Sequence, residues 1–276
     1  QVVRNDEGSP SSGSSAVAAM VGLGLGMVLY MFLMIYGAMV MQSVIEEKSS
    51  RVLEVVVSSV RPFELMMGKI FGVASVAVVQ VLIWAVLVCG AGAAVMPHVL
   101  PDGAMEAAAA LQQGGGAATA AAGDFDPETL GAIALATDVG YLAMLFGYLL
   151  LFVVGGYLLY SAMFAAVGSA VDNAQDAAQL QTPIMIPIIL AVIVEMSVLN
   201  DPNSPLAFWF SLIPFTSPVV MMARIPYGIP TWEIVLSLVL LYAAFVGMVW
   251  LSAKIYRVGI FMYGKKPTLR EMFRWI

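Results

Sequence analysis

The residues able to do chemistry are few and unevenly placed. The densest group is Glu46-Glu47-Lys48-Ser49-Ser50-Arg51-Val52-Leu53-Glu54-Val55-Val56-Val57-Ser58-Ser59-Val60-Arg61-Pro62-Phe63-Glu64. At 3.6 residues per turn, Glu47, Arg51, Glu54 and Ser58 share one face, and Ile45, Val52, Val56 and Val60 share the opposite one. That is the pattern of an amphipathic helix, expected over about 44–61 and stopped by Pro62. Glu47 and Arg51 form an i,i+4 pair in the favourable order, worth roughly 0.3 kcal/mol. Such a rod does its chemistry by contact. Its acids alternate with its bases, which suits a protein partner of mixed charge, whereas a purely lipid-binding helix concentrates Lys and Arg. Plain anchoring by snorkelling cations is the competing reading.

Covalent and metal chemistry have little to work with. There is one histidine, His98, and one cysteine, Cys89, so sites needing paired imidazoles or an internal disulfide are excluded, and HExxH is absent. Cys89 sits in an apolar run and reads as a small buried hydrophobe. A nucleotide-binding GxxxxGK[ST] is absent too: Gly68-Lys69 is followed by Ile70, and Phe63 stands where the first glycine belongs. A net charge of −6 with no basic domain gives no sign of nucleic acid binding.

The elements that must position these residues follow from composition. Of 276 residues, 61% are hydrophobic and 11% charged, against about half and about a quarter in soluble domains. The solvent is therefore lipid. Stretches free of Asp, Glu, Lys and Arg cover 8–45 (apolar from Ala16), 70–101, 139–171, 177–194 and 234–253. Each is long enough to cross a bilayer core of roughly 30 Å. They predict an all-α integral membrane protein with spans at about 16–42, 70–96, 139–167, 182–199 and 233–255. Pro183 is expected to open the fourth span and Pro187 to bend it. A sixth uncharged stretch, 202–223, carries Pro202, Pro205, Pro214 and Pro218, so the region of about 202–225 reads as a broken re-entrant hairpin.

Charge sets the orientation. Lys48, Arg51, Arg61 and Lys69 fall in one segment, and Lys254, Arg257, Lys265, Lys266, Arg270 and Arg274 in the tail. The loop 97–138 has no Lys or Arg, but has Asp102, Glu106, Asp124, Asp126, Glu128 and Asp138. Cytoplasmic loops collect Lys and Arg. Five spans then put both basic segments and the C-terminus in the cytoplasm, with residues 1–15 an outer linker and the acidic loop outside. Runs such as Ala107–Ala110 and Gly114–Gly116 make that loop read as a flexible connector. The first residue is Gln and no signal peptide is visible, so the chain reads as part of a longer or processed protein.

Three stretches carry a resemblance. MQSVIEEKSSRVLEVVVSSVRPFELMMGKIFGV (Met41–Val73) resembles the signature of ABC type-2 exporter permeases, particularly the sodium-efflux-like branch. SLIPFTSPVVMMARI (Ser211–Ile225) is similar to the outer re-entrant region before their last helix, and IYRVGIFMYGKKPTLREMFRWI (Ile255–Ile276) to their cytoplasmic C-terminus. The resemblance spans nearly the whole chain from Ala16. It implies a permease half of an ATP-driven exporter in a bacterial or archaeal plasma membrane, lacking here its first helix and most of its outer domain. It further implies a second permease copy and cytoplasmic ATPase subunits that bind the ATP, with no cofactor on this chain. On that analogy Glu46, Glu47, Lys48, Arg51, Glu54 and Arg61 are the contacts for the ATPases, and transport proceeds by alternating access. Sodium is suggested only by the branch; other cations, drugs, peptides and lipids stay open.

Two polar residues fall at membrane depth. Glu195 follows the uncharged run 177–194, and an intramembrane acid is expensive enough to suggest a substrate path or a bound cation. The alternative is a wet position near the headgroups, since Asn200 and Asp201 follow. Gln80 suits an interhelical hydrogen bond or, alternatively, a substrate contact. Gly22/Gly26 and Gly68/Gly72 have GxxxG spacing, which permits close helix contact. A channel or secondary transporter working without ATP is the rival function. It calls for several buried charges or paired broken helices in related halves.

Overall fold

The computed structural model describes residues 12–50, 60–100, 103–112 and 127–262. The helices are α1 Ser12–Ser49, α2 Pro62–Val99, α3 Ala104–Gln112, α4 Pro127–Thr137, α5 Val139–Ala170, α6 Ala174–Val198, α7 Pro205–Leu212, α8 Ser217–Arg224 and α9 Thr231–Gly259, with a 3₁₀ turn at Ile225–Tyr227. No strand occurs among the described residues. Five of the helices contain stretches long and apolar enough to cross a membrane: Ala16–Ser49, Pro62–Gly92, Val139–Ala170, Ala174–Val198 and Thr231–Gly259. The all-α membrane architecture expected from composition is the one found.

Helix α5 is the centre of the bundle and packs most extensively against α1 and α9. From Phe152 to Ala170 nearly its whole circumference is buried. Small residues let neighbours approach. A methyl group added at Gly168 would lie 2.8 Å from the Met41 carbonyl oxygen, and one at Gly156 3.0 Å from both Leu33 and Pro218 side chains. Outward faces remain apolar, as on α2, where Phe71, Val76, Val79, Leu82, Ile83, Val86 and Leu87 are exposed; lipid is the solvent for such a face.

Several helix ends differ from the expectation, each for a local reason. Counting charge-free residues finds the hydrocarbon part of a helix, not its extension into the headgroups. Thus α2 starts at Pro62, eight residues before the predicted span, with the proline in the N-terminal position where its missing N–H costs nothing. Helix α1 runs unbroken to Ser49, so the part of the amphipathic rod that is described continues the first span instead of starting anew at 44; residues 51–59 lie outside the description. Helix α6 begins at Ala174, not 182, and both prolines are inside it. Its start is fixed by Asn173, whose side chain accepts from the Asp176 N–H at 2.9 Å, with Asp176 also placed well for the helix dipole. The loop read as a flexible connector contains α3 and α4, which pack through Ala104, Ala108 and Ile133. Its alanines act there as the strong helix formers they are.

The proline-rich stretch folds as the pair α7 and α8. Ser204 caps α7 by accepting from Ala207 N–H at 3.2 Å, and Pro205 opens it. Every residue of α8 is buried, so its backbone is shielded from lipid by protein, the condition for irregular backbone in a membrane. The turn between them is satisfied internally: Tyr160 donates its hydroxyl to the Phe215 carbonyl at 2.6 Å, and Thr216 donates to the Phe210 carbonyl at 2.6 Å.

Candidate functional site

The described start of the mixed-charge segment is the end of α1. Lys48, near the end of α1, is fully buried. Its ammonium donates to the Ser169 carbonyl at 2.7 Å and the Gly259 carbonyl at 2.9 Å, and pairs with Asp172 at 3.1 Å. Ser169 and Gly259 belong to the last turns of α5 and α9, whose carbonyls carry the negative end of the dipole; the Gly259 carbonyl also accepts from the Met262 N–H at 3.1 Å. One cation therefore ties the ends of α1, α5 and α9 to the start of α6. The approach is close: a methyl group at Gly259 would lie 2.9 Å from the Ser169 carbonyl oxygen.

A second lysine performs the same service for α2. Lys69 pairs with Glu47 at 2.7 Å and donates to the Ser43 carbonyl at 3.0 Å and the Ser43 hydroxyl at 3.2 Å. The partner for Glu47 among the described residues is thus on α2; Arg51, its expected helical partner, lies outside the description, as does Glu54. Glu46 and Arg61, on either side of residues 51–59, are exposed. Lys48 was grouped with these surface residues in the sequence, and the structure turns it inward: its charge is used within the chain. The period of 3.6 identifies a charged face but not which lysine reaches back under it.

At the opposite end, the α7–α8 hairpin is held by a residue the sequence reading did not single out. Arg224 is buried; Nε donates to the Pro202 carbonyl at 2.8 Å and Nη1 to the Ser211 hydroxyl at 2.6 Å, and the guanidinium pairs with Glu233 at 2.9 Å. Burial lowers the guanidinium pKa and Glu233 opposes that shift. Ser237 adds a bond from α9 to the Ser211 carbonyl at 2.7 Å. The available signal was an arginine closing an otherwise uncharged run, with an acid in the first turn of the next helix.

Glu195 lies beneath this hairpin. It is completely buried, and neither carboxylate oxygen has a hydrogen-bond partner among the described residues. The carboxyl is thus buried in protein, not at a wet headgroup position, and α1 and α8 both pack on α6. The carboxyl abuts Gly26 of α1, where a side-chain methyl would collide with it, and a methyl at Gly22 would run into the Ala223 carbonyl of α8. A small-residue strip on α1 thus makes room for α8 and for one acid. Gln80 is occupied in the way a glue residue would be, accepting from the Tyr36 hydroxyl at 2.6 Å. Cys89, expected inside, is exposed on α2. Among the described residues no three His, Cys, Asp or Glu side chains are grouped to hold a metal ion.

Comparison with known proteins fits this geometry. The family model described as ABC-2 family transporter protein matches residues 5–254. Among curated proteins, the "Uncharacterized protein YhaP" of Bacillus subtilis is 27% identical over 246 residues, covering 89% of this chain and 52% of that protein. The "Uncharacterized protein MJ1024" of Methanocaldococcus jannaschii is 27% identical over 262 residues, covering 94% of this chain and 54% of that protein. The chain spans about half the length of these relatives. No solved structure matches it. A bundle of apolar helices whose ends are tied together by two lysines, matched along nearly all its length by one family model, belongs to the ABC-2 transporter family.

Proposed function

We propose that the chain is the membrane part of an ATP-driven exporter, moved by ATPase subunits on separate polypeptides that dock on the segment between α1 and α2. The observation that carries this reading, beyond the family itself, is the Lys48 and Lys69 junction. A force applied at Glu46, Arg51, Glu54 or Arg61 meets a rod whose root is bonded to α2, α5, α6 and α9 at once. Such a root turns a local push into a rigid-body movement of spans, the type of element that coupling between distant sites requires. ATP is bound by the partner, and a second permease copy completes the path. The basic end faces the cytoplasm and the acidic end the exterior, in keeping with the bias of Lys and Arg. Glu195 lies on the transport path in this reading, and a cation is the substrate class its carboxyl favours.

The test uses the full-length protein reconstituted with its cognate ATPase. Glu46→Lys, Arg51→Glu and Glu54→Lys are combined, leaving Lys48, Lys69 and Glu47 intact so that the bundle keeps its internal ties. The expected result is a loss of at least tenfold in permease-stimulated ATP hydrolysis and in transport, with unchanged extraction and thermal stability. Hydrolysis and co-purification equal to those of the unaltered protein would sink the docking role.

A further inference from the structure

A cleft of about 450 Å³ opens at the basic end, between the first residues of α2 and the last turns of α9. It lies outside the lysine junction and belongs to no part of the coupling argument. Phe63 forms one wall; Val246, Trp250, Lys254 and Arg257 run down the other. Spacings of four, four and three residues put these last four on one stripe of α9. The stripe changes character in order. Val246 and Trp250 are 66% and 60% exposed and apolar, then two cations follow toward the helix end. Among the described residues no acidic one lines the cleft.

The ammonium of Lys254 lies 3.7 Å from the centre of the Trp250 ring, a cation–π contact that holds both side chains at the boundary between apolar wall and charged end. Tryptophan at that level marks a membrane interface. An occupant must therefore have a hydrocarbon part directed toward the middle of the bundle and a negative part at its end. We infer that the cleft binds an anionic phospholipid, its acyl chain against Val246, Trp250 and Phe63 and its phosphate at Lys254 and Arg257. Basic pockets between membrane helices take such headgroups, and anionic lipids populate the cytoplasmic leaflet. The graded order from apolar to cationic along a single stripe is what favours a lipid over a soluble anion or a protein segment. The lipid site rests on the proposed placing of the basic end at the cytoplasmic leaflet, not on the docking of an ATPase.

The full-length protein is placed in phosphatidylcholine nanodiscs, and brominated phosphatidylglycerol or brominated phosphatidylcholine is titrated in. Quenching of Trp250 is obtained by difference from Trp250→Phe. Phosphatidylglycerol is expected to reach half-quenching at a mole fraction at least fivefold lower, the factor that about 1 kcal/mol for one interfacial cation gives. Lys254→Gln with Arg257→Gln should bring the two curves together, while Lys254→Arg keeps them apart. Quenching of Trp209 and Trp232 reports that the variants remain folded. Equal quenching by both lipids in the unaltered protein, or an undiminished preference in the double Gln variant, overturns the site. So does abolition of the preference by soluble glycerol phosphate, which would assign the cations to a free anion.

Discussion

Glu195 and Lys48 are both buried charge-bearing residues, and their surroundings assign them opposite duties. Lys48 has acceptors at 2.7, 2.9 and 3.1 Å, so its desolvation is offset and its removal would untie the ends of α5 and α9. Glu195 has none. An acid buried without partners lowers stability, and a fold keeps such a cost where function uses the group. Replacing it with an apolar side chain of similar length removes the unsatisfied oxygens while filling the same space. Glu195→Met is therefore expected to raise the stability of the purified protein by about 1–3 kcal/mol, read as a higher unfolding temperature in detergent. In the transport assay the same variant is expected to lose most activity while stimulated ATP hydrolysis persists. A variant that is destabilised, or that transports normally, would show that the carboxyl has an internal partner or no place on the path.

At the scale of elements, the two GxxxG pairs make a controlled comparison. Identical spacing in the sequence corresponds to opposite surroundings: Gly22 and Gly26 face α8 and Glu195, whereas a methyl at Gly68 or Gly72 would meet nothing within 4 Å. At Gly22 the obstacle is backbone carbonyl, which cannot swing aside, so Gly22→Ala must push α1 from α8 at a cost of about 1–3 kcal/mol. Gly72→Ala removes a poor helix former and should be neutral or stabilise by up to ~1 kcal/mol. Thermal unfolding of the two variants checks this, and equal effects would mean that α1 and α8 are not packed as described. The pair also shows what the sequence could not convey. Hydropathy located all five long helices because twenty apolar residues have few alternatives in lipid. It could not say which glycine meets a neighbour, since that depends on contacts between α1 and a hairpin some two hundred residues later. The start of α2 is hidden for a related reason: Glu64 and Lys69 interrupt an apolar count, yet both lie within the helix, where Lys69 pairs with Glu47.

For the molecule as a whole, the arrangement of charge is reproduced by the fold in three dimensions. Lys48, Lys69, Lys254 and Arg257 gather at one end, where the first, third and fifth spans finish. Asp138, Asp201 and Glu233 stand at starts and turns at the other. An odd number of crossings is what allows this, because the α7–α8 hairpin enters and returns without counting as a span. If instead the hairpin crossed, α9 would be inverted and Lys48 could not reach the Gly259 carbonyl. The bond at 2.9 Å between them thus makes a topological statement: the end of α1 and the end of α9 lie on the same side. Single cysteines at Ser50 and Met262 in a Cys89→Ala background should react alike with a membrane-impermeant maleimide. Cysteines at Gly103 and Thr129 should react from the opposite side. In intact cells the second pair is expected to label and the first only after permeabilisation, if the basic end faces the cytoplasm as proposed. Labelling of Met262→Cys from outside while Ser50→Cys stays protected would separate the two helix ends, and with them the lysine junction on which the proposed coupling depends.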